Sequence, residues 1–109
     1  MLESILGSVN SERVLVFLVA RKEGYAREIA GCFKTGLSPI QKQLERLESS
    51  GVIFSKMVGR TRVYAFDPRY PFLNELQALI EKALSFYPES MREQLLMNRR
   101  RPRRSGKPL

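Results

Sequence analysis

At 109 residues, 43% of them apolar, the chain is sized for a single domain with its own core. One cysteine, Cys32, and no histidine exclude an internal disulfide and remove the usual zinc ligand and neutral-pH proton shuttle, so no metal site, cofactor or enzyme is expected and a reducing, cytoplasmic setting fits. The net charge of +8 is uneven: Arg99, Arg100, Arg101, Arg103, Arg104 and Lys107 form an acid-free run, and the body before them is only at +2.

The first helix is expected from a cap at Ser11 or Asn10. Val14, Leu15, Phe17, Leu18 and Val19 make it apolar on all but one strip, and Gly24 closes it. The apolar stretch Val14 to Ala20 is far too short to span a membrane, and Glu3 argues against a secretion signal, so no membrane association is expected. A shorter helix follows from about Tyr25 to Phe33, with Ile29, Ala30 and Phe33 inward and Arg27 and Glu28 outward. Cys32 lies within it and reads as a small core residue rather than a redox switch, since only Lys34 and Arg27 stand near enough in sequence to lower its pKa.

After a Lys34-Thr35-Gly36-Leu37 turn, Ser38 is expected to cap a third helix with Pro39 at its first position, Ile40, Leu44 and Leu47 inward, and Gly51 as its stop. Helix, short turn, helix is the arrangement that lays its second helix in a DNA major groove. Opposite the apolar stripe, at 100° per residue, stand Lys42, Ser38, Glu45 and Arg46, flanked by Gln41 and Pro39. Lysine and arginine can pair with guanine O6 and N7, and Gln41 with adenine N6 and N7. Glu45 either reads a cytosine amino group or pairs with a cation on its own helix.

Two β-like runs come next, with Val52 and Phe54 expected to pair with Val63 and Ala65 across a Gly59-Arg60-Thr61-Arg62 turn. Arg60 and Arg62 would stand at the tip of this wing, where they could clamp phosphates or enter a minor groove, with Lys56 adding to the same surface. Cations on a hairpin also guard its edges against aggregation, but two arginines at one tip exceed that need.

The Phe66 to Pro71 turn, with Pro68 and Pro71, leads to a long helix. Its stripe of Phe72, Leu73, Leu76, Leu79, Ile80, Ala83 and Leu84 is broader than a surface helix requires, so Phe72, Leu76, Leu79, Ile80 and Ala83 are expected at a subunit interface. Glu89 to Asn98 keeps a partly helical spacing through Met91, Leu95 and Leu96. The expected organisation is therefore 1–84 as a helix-turn-helix with wing and dimerisation helix, 85–98 as an accessory helix, and 99–109 as a basic disordered arm for phosphate contacts. The fold class is mainly α with a small β-hairpin, α+β, a three-helical core plus wing and C-terminal helices.

From about Leu6 to Leu84 the chain resembles an ArsR-like winged helix-turn-helix domain. The likeness lies in Tyr25-Ala26-Arg27-Glu28-Ile29-Ala30, Leu37 to Leu44, Leu47 to Ile53 and Gly59 to Tyr64. It is similar in particular to small bacterial and archaeal winged helices that sometimes precede a nucleotidyltransferase domain, although Asp67-Pro68-Arg69-Tyr70-Pro71 shifts their post-wing proline spacing by one. The resemblance implies a dimer that binds duplex DNA sequence-specifically in transcriptional control. Metal-sensing members use cysteine and histidine clusters, which this sequence lacks. A different class is a protein-interaction module docking through Phe72 to Leu84, on a partner such as a separately encoded nucleotidyltransferase. A third is a non-specific nucleic-acid or RNA binder driven by the basic arm.

Overall fold

The computed structural model describes residues 1–97; the basic run from Arg99 lies outside them. In chain order the elements are α1 (Glu3–Leu6), α2 (Val9–Arg21), β1 (Glu23–Gly24), α3 (Ala26–Cys32), α4 (Leu37–Ser49), β2 (Ile53–Val58), β3 (Thr61–Phe66), α5 (Leu73–Ser85) and α6 (Glu89–Met97). The class is α+β, with the helices around a three-stranded antiparallel sheet of order β1-β3-β2.

α2 is the hub. Seven successive residues, Val14 to Ala20, are buried, because α4, α5, α6 and β1 all pack on this one helix. A helix apolar nearly all round has no solvent face to keep, so it takes the centre. Its cap is Ser8, whose Oγ accepts from the Ser11 amide at 3.0 Å, rather than Ser11 or Asn10. Ser11 is itself fully buried and serves another contact. α2 ends at Lys22, which takes a left-handed φ of 75°, so Gly24 is not its stop. Gly24 lies in β1, where a Cβ would sit 2.4 Å from Cε1 of Phe17; only glycine lets the strand pass so close.

α3 spans the expected residues between its flanking Tyr25 and Phe33. Glu28 Oε1 accepts from the Tyr25 amide at 3.4 Å, pairing one of the donors left free at the helix start. α4 begins two residues earlier than the Ser38 cap implies: Gly36 precedes it in extended geometry with no side-chain cap, and Pro39 becomes the third helical residue. Proline is still tolerated there, because amides of the first turn have no intrahelical acceptor. Gly51, at φ 82°, ends the helix as expected, and Ile40, Leu44 and Leu47 face the core.

In the hairpin, Phe54 pairs with Ala65 and Lys56 with Val63, while Val52 stands just outside β2. The loop is only Gly59-Arg60, since Val58 and Thr61 already pair. A positive φ of 64° at Gly59, the first of two loop residues, suits the right-handed twist of the strands. Arg62 is therefore a strand residue rather than part of the tip.

α5 packs on α2, and its Ile80 and Ala83 are both buried within the chain. These two were expected at a subunit interface; the chain's own packing covers them instead, which explains much of the stripe's width. Leu76 is half-buried against the same core, whereas Phe72 is 62% and Leu79 39% exposed. α6 returns to α2 and buries Leu95. The turn between α5 and α6 is tied back to α2, where the Tyr87 hydroxyl donates to Oε2 of buried Glu12, whose Oε1 accepts from the Leu2 amide.

Candidate nucleic-acid interface

α3, the turn of residues 33–36 and α4 form a helix-turn-helix with the hairpin alongside. Where the first turn of α3, the outward side of α4 and the wing converge, they enclose a cleft of about 560 Å³. Arg27, Gln41, Glu45, Arg60 and Arg62 line it, above a buried Tyr64. Three guanidiniums face one carboxylate, so the cleft favours an anion. Burial, with nearby Glu48 adding to it, raises the Tyr64 phenol above its ordinary pKa, so it stays a neutral floor.

The α4 residues expected to read bases are all exposed: Ser38, Pro39, Gln41, Lys42, Glu45 and Arg46. The Lys42 side chain makes no hydrogen bond or ion pair among the described residues. Arg46 is committed elsewhere. Its Nη2 donates to Ser11 Oγ at 2.8 Å and to the Leu6 carbonyl at 3.0 Å, and its Nε donates to Gln43 Oε1 at 2.9 Å.

Sheet alternation separates the wing cations. Ser55 pairs with Tyr64, so Arg62, two residues from Tyr64, shares their face toward α4. There Arg62 Nη1 donates to Ser55 Oγ at 3.0 Å, and Ser55 Oγ donates to Oε2 of Glu48 on α4 at 2.6 Å. This bridge fastens the wing root to α4. Lys56 lies on the opposite face, 3.9 Å from Glu23, with both side chains exposed, and does not join Arg60 and Arg62 as expected. Arg60, in the hairpin loop, is exposed.

Arg27 was not among the expected contact residues. Its signal was its outward place on the helix before the recognition helix, the element that crosses the backbone in helix-turn-helix complexes. Arg21 anchors α6: its Nε donates to the Leu95 carbonyl at 3.0 Å and its Nη2 to the Gln94 carbonyl at 3.2 Å, while its Nη1 pairs with Glu28 at 3.4 Å. One guanidinium thus links the last turn of α6 to Glu28 in the first turn of α3. Cys32 is buried, and burial raises its thiol pKa, which keeps it protonated and unreactive.

Among the described residues no cluster of cysteine, aspartate and glutamate is arranged to hold a metal ion, and no helix is long and apolar enough to cross a membrane. No family model and no curated protein matches the chain. Solved structures do. A double mutant of Lactococcus lactis ZitR in apo form aligns with a TM-score of 0.55 at 19% identity, over 78% of this chain and 73% of ZitR. A glutamate-to-alanine mutant and a cysteine-to-serine mutant of ZitR also align at 0.55, with 20% and 21% identity, over 79% of this chain and 66% of theirs. The likeness is one of fold: this chain is similar to ZitR in its winged-helix architecture.

Proposed function

From a winged-helix architecture carrying an arginine-lined cleft, we propose that the chain is a DNA-binding transcription regulator of the ArsR-like kind, acting as a homodimer in the cytoplasm. α4 enters the major groove, where Gln41 and Lys42 read bases, Ser38 and Pro39 meet the groove wall and Glu45 accepts from a cytosine amino group. Arg27, Arg60 and Arg62 hold the flanking phosphates, and the arm from Arg99 to Arg104 adds contacts that carry no sequence information. Phe72 and Leu79, beside Leu76, supply the subunit contact.

The observation that carries this reading is the convergence of three arginines from α3 and the wing onto the groove beside exposed Gln41 and Glu45. A solvated helix face has no reason to share a cleft with cations from two other elements. Selection of bound duplexes from a random pool tests it. A palindrome with half-sites about one helical turn apart is expected, and a pool that fails to enrich refutes sequence-specific binding.

A second reading, a protein-interaction module, is favoured by Phe72 and Phe86, which are both more than 60% exposed at the two ends of α5. In that case α5 docks on a partner protein such as a nucleotidyltransferase, and duplex binding is weak and without preference.

A further inference from the structure

We infer that Arg46 is a positioning residue, a strut that couples the N-terminal helix α1 to the recognition helix α4. The coupling to duplex binding rests on the function proposed above; the strut itself does not. Arg46 projects from the exposed side of α4, where its spacing marked it as a base reader. Its guanidinium instead reaches sideways, and one nitrogen, Nη2, serves two acceptors on two other elements. Leu6 is the last residue of α1, so its carbonyl is one of those that a helix C-terminus leaves unpaired, and a cation is the favoured partner there. Ser11 belongs to α2 and is fully buried, so Arg46 is its route to a charge-assisted bond. Gln43, one turn earlier on α4, holds the guanidinium from the other side through Nε.

The three contacts use the fork of the guanidinium in three directions, which a lysine cannot reproduce. They also occupy the groups with which an arginine would grip guanine. The other ties of α1 run to α2 and the core, through the Leu2 amide on Glu12 and through Leu2 and Leu6, so Arg46 is what joins it to α4. It is a four-residue helix that turns into α2 through Gly7 at φ 98°, and Ile5 on its outer side is 68% exposed. Release of the Leu6 end of α1 therefore frees Arg46 from that contact, and loss of Arg46 loosens that end. Binding energies are reciprocal between linked sites, so seating α4 on DNA tightens α1 even though α1 touches no base.

The test uses the full chain and the variants Arg46→Ala, Arg46→Lys and Ser11→Ala, with Lys42→Ala as the comparison. In free protein, hydrogen exchange at the Leu6 and Gly7 amides should quicken about tenfold or more in both Arg46 variants and stay unchanged in Lys42→Ala; unchanged exchange in the Arg46 variants overturns the strut. On duplex, Arg46→Ala and Arg46→Lys should weaken binding to selected and random sequences by the same factor, with the slope of log affinity against log salt unaltered. A slope shallower by about 0.9, or preserved binding in Arg46→Lys, would mean that Arg46 grips phosphate and overturn the inference. Duplex should slow Leu6 and Gly7 exchange in the native protein and not in Arg46→Ala. Ser11→Ala, which leaves the charge in place, should move every readout the same way by less. If the native chain binds no duplex, the functional reading falls while the exchange measurement still decides the strut.

Discussion

Replacing Tyr87 with Phe removes a single oxygen, yet the cost should be large, because that hydroxyl donates to a carboxylate that is only 2% exposed. Burial pushes the Glu12 carboxyl up. The hydrogen bonds from Tyr87 and from the Leu2 amide outweigh it and hold the group below its ordinary value of 4.5. Burial and the bond to Glu12 together raise the Tyr87 phenol well above its ordinary range, so the hydroxyl stays a donor at any working pH. A hydrogen bond to a buried charge contributes about 1.5–3 kcal/mol. A loss of about 2 kcal/mol lowers Tm by roughly 8–16 °C in a domain of this size. Urea and thermal unfolding of Tyr87→Phe, Glu12→Gln and the double variant measure it, with a coupling of about 1.5 kcal/mol or more between the two sites. The pH dependence follows from the lowered carboxyl. Its contribution is fully present above 4.5 and is lost as pH falls through the lower folded value, so the gap between native protein and Glu12→Gln should close in acid. A Tyr87→Phe protein within about 0.5 kcal/mol of native, or a gap indifferent to pH, refutes the reasoning.

On a selected operator, Gln41→Ala or Lys42→Ala should cost about 1–3 kcal/mol and relax preference at one base position, whereas Arg27→Ala or Arg60→Ala should weaken all duplexes evenly; equal losses on specific and random DNA for the α4 variants would exclude direct readout. Leu79→Glu, chosen because Leu79 is exposed where Ile80 is not, should dissociate the dimer without unfolding the chain, as sedimentation would show; a native protein that is monomeric at about tens of micromolar rules out that contact. Truncation after Asn98 should leave the described fold intact and make the salt slope shallower by up to about 5, because six cations are removed and each neutralised phosphate releases roughly 0.9 counterion. An unchanged slope would make the arm a bystander.

Where the physics is local, the sequence was readable. Ile40, Leu44 and Leu47 recur at helical spacing and are the buried side of α4, and α3 runs between the Tyr25 and Phe33 expected of it. Gly59 marked the hairpin, because two-residue turns require its backbone freedom. What was missed depends on partners distant in the chain. β1 is two residues that become a strand only by pairing with Tyr64 and Ala65. α1 is too short to show a period. Ile80 and Ala83 looked surplus because nothing in their own segment reveals that the rest of the chain covers them. Arg46 points outward at its Cα, and only the folded position of Leu6 and Ser11 turns its guanidinium aside. Lys56 and Arg62 lie six apart on paired strands, and which face each takes depends on register, fixed by the Phe54 and Ala65 pair.

The central place of α2 also shapes how the chain is born. Leu95, which α6 brings to the hub, follows Arg21 by 74 residues, and synthesis at 5–20 residues per second takes roughly 4–15 s to cover that distance. For all of that interval Leu95 is not yet made, and Ile80 arrives only late in it, so Val14 to Ala20 keeps part of its apolar surface uncovered even after β1 and α4 have formed. The helix that organises the finished molecule is thus the last to be fully covered, and the chain's most apolar stretch stays partly open to water until its final helix closes over it.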